Sequence, residues 1–128
     1  MTGYLKGVED MVRTHKDLEV WQKSIAFVTA IYKATDSFPN SEIYGLTSQI
    51  RRSAVSIPSN IAEGATRKHK AEFKQFLYIA LSSGAELETQ LIIGHNLNYL
   101  DQIQSEKLID ELNSISRMIQ GLIKSISR

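Results

Sequence analysis

The sequence predicts an all-α protein, an antiparallel up-down-up-down four-helix bundle. From residue 17 onward, apolar residues recur at intervals of three and four, which is the pattern of helices that bury one face. The breaks in this pattern are short, and short links between long helices make neighbouring helices antiparallel. The chain has 128 residues, of which 42% are hydrophobic and 23% charged, as expected for one domain with one core.

The first two helices are indicated by apolar stripes and by signals at their ends. Helix one is expected to begin at Asp17, a good N-cap residue, and to end near Phe38-Pro39, because a residue before proline disfavours the helical conformation. Helix two is expected to end at Gly64, a typical C-terminal glycine. The stripe of helix one is Leu18, Trp21, Ile25, Val28 and Tyr32, and that of helix two is Ile43, Leu46, Ile50, Ala54, Ile57 and Ile61.

Pro58 interrupts the pattern of helix two. Proline lacks a backbone N–H, and its ring crowds the carbonyl of Ala54, so the sequence predicts a proline kink. The alternative is two helices divided at residues 56–58, with Pro58 at a first helical position.

Polar residues near this proline suggest a structural role. Gln49, Asn60 and Glu63 lie on the same helix and could satisfy backbone groups that the kink frees, as a buried polar network. In the alternative interpretation, Asn60 and Glu63 face a partner.

The third and fourth helices have the most regular stripes. Ala80, Gly84 and Gly94 are small, and each glycine costs up to ~1 kcal/mol of helix propensity, so they indicate close approach of a neighbouring helix. Helix four follows breaks at Asn98 and Asp101, with Ser105 as its candidate cap. The stripes are Phe73, Leu77, Ala80, Gly84, Leu87, Leu91 and Gly94, then Leu108, Leu112, Ile115, Ile119, Leu122 and Ile126.

The apolar periodicity is weaker in the N-terminal residues. Residues 1–15 are expected to form a flexible or marginally helical arm, and residues 16–128 the four-helix bundle. The sequence contains no apolar run long enough for a membrane span, no secretory signal and no cysteine. These features predict a cytoplasmic protein without a membrane partner.

No pattern of catalytic, metal-binding or cofactor-binding residues is present. His15, His69 and His95 have no histidine partner four residues away, and the seven glycines form no phosphate loop. Glu86 and Glu88 are two residues apart, so they point to different helix faces; one is expected to be solvated and the other to hydrogen-bond within the bundle. The sequence therefore predicts a non-enzyme without metal or cofactor.

Charge is concentrated in residues 51–74, which carry six basic and two acidic residues although the whole chain is only +1. A local excess of this kind is typical of surfaces that attract phosphates. The alternative is that these charges only keep a helix end soluble. The candidate nucleic-acid-binding residues are Arg51, Arg52, Arg67, Lys68, Lys70 and Lys74.

Several motifs resemble the family of 23S rRNA-intervening-sequence proteins, which are four-helix bundles. The most specific is residues 56–64, which read SIPSNIAEG, and it is preceded by YGLTSQ at residues 44–49 and by Arg51-Arg52. The resemblance covers about residues 17–100 and continues through F-x-x-F-L-x-x-A at residues 73–80 and ELETQL at residues 86–91. Ser82 departs from the glycine expected there.

The resemblance implies a bacterial protein associated with insertions in large-subunit rRNA genes, without an established activity. Relatives form homopentamers, and a related accessory protein of diversity-generating retroelements is a basic pentamer that binds nucleic acid and a reverse transcriptase. We therefore expect a non-catalytic homo-oligomer, preferably a pentamer, that binds RNA or DNA weakly. The alternative is a protein–protein scaffold or adaptor that does not bind nucleic acid.

Self-association is also suggested by apolar residues outside the stripes. Such residues either widen the core or form an interface between copies. They are Phe27, Phe76, Ile79, Ile92, Ile109 and Ile123.

Overall fold

The computed structural model describes residues 14–128 and contains four long helices, with no strand in that range. This confirms the predicted all-α, four-helix fold. The predicted N-terminal arm lies outside the described residues, apart from Thr14 and His15. The helices are α1 (Glu19–Thr35), α2 (Leu46–Ala65), α3 (Lys70–Asn96) and α4 (Gln102–Ser127), with short 3-10 turns at His15–Asp17 and Asn40–Glu42.

The four helices enclose one core. Each helix packs against the next, and α1 also contacts α4. The core includes Leu77, Leu87 and Leu91 of α3, which are fully buried. Of the apolar residues outside the predicted stripes, Phe27 and Ile123 join this core, whereas Ile79 and Ile92 stay nearly half exposed.

The most extensive helix contact joins α2 and α3, which run in opposite directions. Ser53 of α2 hydrogen-bonds Glu86 of α3. Three residues later on α2, Ser56 hydrogen-bonds Ser83, which is three residues earlier on α3. The up-down-up-down order of all four helices stays a prediction.

Two predicted helix caps are wrong. Leu18, not Asp17, is the N-cap of α1, and Asp17 instead accepts a hydrogen bond from the backbone N–H of Thr14 in the preceding turn. Ser105 is buried inside α4, which Asp101 caps by accepting from the N–H of Gln104 at 2.7 Å. Short polar residues cluster near helix ends, so the cap is decided by where the backbone actually turns.

Helix α2 continues through Pro58 without a break. The alternative of two helices divided at residues 56–58 is therefore wrong, while the kink itself stays a prediction. The side-chain amide of Asn60 donates to the carbonyl of Ser56, rather than to the carbonyl of Ala54 that proline leaves without its helical donor.

Gly64 allows close contact between α2 and α3. A Cβ atom at this position would lie 2.7 Å from Cβ of Phe76 and 2.9 Å from Cδ1 of Phe73. These distances are shorter than van der Waals contact, so the two helices could not approach this closely with any larger residue. Since α2 ends one residue later, at Ala65, we assign Gly64 a packing role beyond that of a helix-end signal.

The carboxylate of Glu42 links the connection between α1 and α2 to the connection between α3 and α4. Glu42 accepts the backbone N–H of Leu46 through Oε1 at 3.2 Å and the hydroxyl of Tyr99 through Oε2 at 3.0 Å. The hydrogen bond to Glu42 raises the pKa of Tyr99 above its ordinary value, with smaller contributions from desolvation and from the carboxylate charge. Gly45 has no side chain to cap α2, so Glu42 supplies the acceptor.

Candidate nucleic-acid interface

Four of the predicted nucleic-acid-binding residues meet where α2 turns into α3. Arg67 and Lys68 lie in the connection, and Lys70 and Lys74 lie in the first turns of α3. Because the connection has only four residues, these cations share one end of the helix pair. We call these four residues the basic turn. Lys74 is partly buried and the other three are exposed.

The arginine of the basic turn is held in place. Its Nη2 donates to Glu63 Oε1 at 3.3 Å, and its guanidinium stacks over the ring of Phe76 at 4.7 Å. By contrast, Lys68, Lys70 and Lys74 form no ion pair within residues 14–128. The oriented arginine and the three lysines can thus bind an anion. The carboxylates of Glu63 and Glu72 reduce the positive charge of this segment.

The N-terminus of α3 adds to this positive end. Its N-cap is His69, which makes no side-chain hydrogen bond to the free N–H groups of the first turn. Such N–H groups, together with the helix dipole, favour negative charge nearby.

Arg51 and Arg52 lie elsewhere. They precede Arg67 by 15 or 16 residues, nearly all of them in α2, which places them about 22 Å away along that helix. Arg51 Nε donates to Thr35 Oγ1 at 3.0 Å and its Nη2 to the carbonyl of Tyr32 at 3.4 Å. The six candidates therefore form two separate groups.

The polar network between α2 and α3 differs in membership from the predicted one. Its bonds join Ser53 to Glu86 at 2.6 Å and Ser56 to Ser83 at 2.8 Å, and Asn60 donates to Ser56 Oγ at 2.9 Å.

The other two predicted members of that network have different surroundings. Gln49 is exposed and lines a surface cavity between α2 and α3, beside the network. Glu63 accepts a hydrogen bond from Arg67 on the surface. The three serines were missed because nothing in the sequence shows which residues of α2 and α3 face each other. Of Glu86 and Glu88, one of which was expected to hydrogen-bond within the bundle, Glu86 does so by accepting from Ser53.

The histidines occupy unrelated places. His15 packs edge-on against Trp21, with ring centroids 5.0 Å apart, and His95 Nδ1 lies 3.1 Å from the carbonyl of Leu100. In the described part of the chain, no three His, Cys, Asp or Glu side chains gather as metal ligands. None of the four helices is long and apolar enough to cross a membrane, as far as residues 14–128 are concerned.

Comparison with known proteins gives a consistent result. The model of the family described as 23S rRNA-intervening sequence protein matches residues 16–121. The chain is also similar to a solved structure from Bacteroides thetaiotaomicron VPI-5482, a protein of unknown function from the S23 ribosomal protein family. The two chains are 29% identical with a TM-score of 0.74, over 82% of this chain and 98% of the other.

A comparison with curated proteins gives no match. The family model spans all four helices up to Gly121 and includes both Gly64 and the basic turn. The chain therefore belongs to the family of 23S rRNA-intervening sequence proteins.

Proposed function

We propose that this protein is a non-catalytic RNA-binding module of the bacterial cytoplasm that contacts the phosphate backbone through its basic turn. The observation that carries the proposal is a group of three lysines that form no ion pair with any described residue. They lie beside a stacked arginine, at the start of a helix whose N-cap, His69, makes no side-chain hydrogen bond. The family description, which refers to intervening sequences in 23S rRNA, supports RNA as the nucleic acid.

This chemistry supports binding without sequence preference. Lysine and arginine neutralise phosphates whatever the bases are, and sequence is read only by contacts to base edges. With four cations per chain, the contact is small and the affinity of one chain is weak. Arg51 and Arg52, about 22 Å distant, are not part of this interface.

A titration of RNA binding against salt tests the proposal. The affinity for an unstructured RNA should fall steeply between about 50 and 200 mM salt, because each neutralised phosphate releases counterions. Fluorescence anisotropy with RNAs of different sequence should give similar affinities at each salt concentration. No binding at low salt would contradict the proposal and would favour the protein-scaffold alternative.

We further propose that the protein acts as a homo-oligomer, preferably a pentamer. Helix α3 exposes Tyr78, Ile79, Ile92 and Ile93 by 42 to 56%, and exposed apolar side chains of this size often mark contacts between proteins. Assembly would link several basic turns and raise the affinity for one RNA strand through effective concentration.

Light scattering coupled to gel filtration measures the assembly directly. We expect a mass several times that of the 14.4 kDa chain, in agreement with a small ring. A monomer mass at high protein concentration would rule out the oligomer.

A further inference from the structure

A groove lies between α1 and α2, away from the basic turn. Its volume is about 530 Å³. Tyr32 of α1 forms one side, Ile43 of the connection closes one end, and α2 supplies the rest of the lining. We call it the α1–α2 groove. The residues from α2 are Thr47, Ser48, Arg51, Arg52, Val55 and Ser56.

The groove exposes apolar side chains to solvent. Tyr32 is 42% exposed, Ile43 52% and Val55 39%. Single exposed apolar residues are normal on a protein surface, but three that line one concave site give a partner apolar area to bury.

Among the described residues that line the groove, the charged ones are Arg51 and Arg52, and both are positive. Arg51 is fixed by its two hydrogen bonds to α1 and by stacking over the Tyr32 ring at 4.6 Å, which leaves its remaining N–H groups for a ligand. Arg52 is exposed, and its side chain forms no hydrogen bond or ion pair with any other residue in the described range.

We infer that the α1–α2 groove binds an acidic amphipathic helix of another protein. The apolar residues of this helix would pack against Tyr32, Ile43 and Val55 of the groove. The carboxylates of the helix would pair with Arg51 and Arg52, because the planar guanidinium group binds carboxylate through two hydrogen bonds. Carboxylates are favoured because the two charges that line the groove are both positive.

The dimensions of the groove suit a helix. Ser48, Arg52 and Val55 lie at positions i, i+4 and i+7 of α2, so the lining extends over about 10 Å, which is two helical turns. An RNA strand would pair with the arginines but would leave the apolar side chains without a matching surface. The inference is independent of the RNA proposal, which rests on different residues.

A pair of synthetic peptides tests the inference. The probe is a helical peptide of about 18 residues with leucines at i, i+3, i+4 and i+7 and glutamates beside them, and the control carries lysines in place of the glutamates. By fluorescence anisotropy with the full chain, the glutamate peptide should bind about tenfold more tightly or better. Hydrogen exchange should slow in residues 43–56 when it binds.

Matched variants locate the site. Arg52→Glu should weaken binding of the glutamate peptide about tenfold, whereas Arg117→Glu, the same change at an exposed position on α4, should alter it less than about twofold. Likewise, Ile43→Asn should weaken binding and Ile103→Asn should not, since Ile103 is exposed but outside the groove. None of these side chains is buried, so the fold should persist.

Several results would overturn the inference. These are equal affinity for the two peptides, no binding at millimolar peptide, exchange protection away from both residues 43–56 and the end of α1 around Tyr32, or equal effects of Arg52→Glu and Arg117→Glu. Occupation of the groove by a second copy or by the protein's own first residues would prevent peptide binding and would also count against it. RNA affinity measured on the same variants keeps this test separate from that of the basic turn.

Discussion

Replacing Gly64 with alanine is expected to destabilise the bundle by about 2 kcal/mol, the usual cost of overpacking a well-packed core. The new Cβ would approach Cβ of Phe76 to 2.7 Å and the carbonyl oxygen of Phe73 to 3.2 Å. Neither atom is at the end of a flexible side chain, so α2 and α3 must separate. The gain in helix propensity, ~1 kcal/mol, offsets only part of this strain.

Gly84→Ala is the matched control, since Gly84 is also buried and helical. Its Cβ would lie 3.5 Å from Leu112 Cδ1 and from Ser116 Oγ, which is ordinary contact. This variant should therefore be neutral or more stable by up to ~1 kcal/mol. Urea and thermal unfolding measure both, and Gly64→Ala should lower Tm by about 5 to 10 °C. Equal stability of the two variants would contradict the packing role of Gly64.

Removal of charge from the basic turn is expected to weaken RNA binding by more than about tenfold and to lower the salt slope by up to about 3, since each single-strand phosphate contact contributes about 0.7. The loss should be similar for RNAs of different sequence, because these residues contact phosphate rather than bases. The variant replaces four residues with glutamine: Arg67, Lys68, Lys70 and Lys74.

The matched control removes the same number of positive charges from positions outside the basic turn. It also changes three lysines and one arginine, all exposed, and so keeps the net charge of the two variants equal. If position matters, the control should keep most of the affinity, and circular dichroism should show both variants folded. Equal affinities would mean that RNA responds only to net charge. The control replaces Lys33, Lys107, Arg117 and Lys124 with glutamine.

The fold could be predicted from the sequence because helix periodicity is local information. The apolar stripes predicted four helices, and their residues at Ile50, Leu77 and Ile119 are indeed buried. Helix ends were less certain, since Asp17 and Ser105 are cap-forming residues at positions where the chain does not begin a helix. A cap depends on backbone conformation that composition does not encode.

The candidate site was only partly predictable. A charge sum over residues 51–74 treats Arg51 and Lys70 as neighbours, although about 21 Å of α2 lies between Arg51 and the turn that precedes Lys70. The network of Ser53, Ser56 and Glu86 depends on the register between two helices, which the pattern of one helix does not contain. The interface role of the basic turn stays a prediction.

The carboxylate of Glu42 also constrains how this protein can vary among its relatives. It serves the N-terminus of α2 and the hydroxyl of Tyr99 at once, although 57 residues separate the two side chains in the sequence. Loss of the carboxylate would leave a tyrosine hydroxyl and a helix N–H without their acceptor, while loss of the hydroxyl would leave a partly buried charge with one donor fewer. We therefore expect substitutions at position 42 to accompany substitutions at position 99 across the family, which an alignment of family members would test.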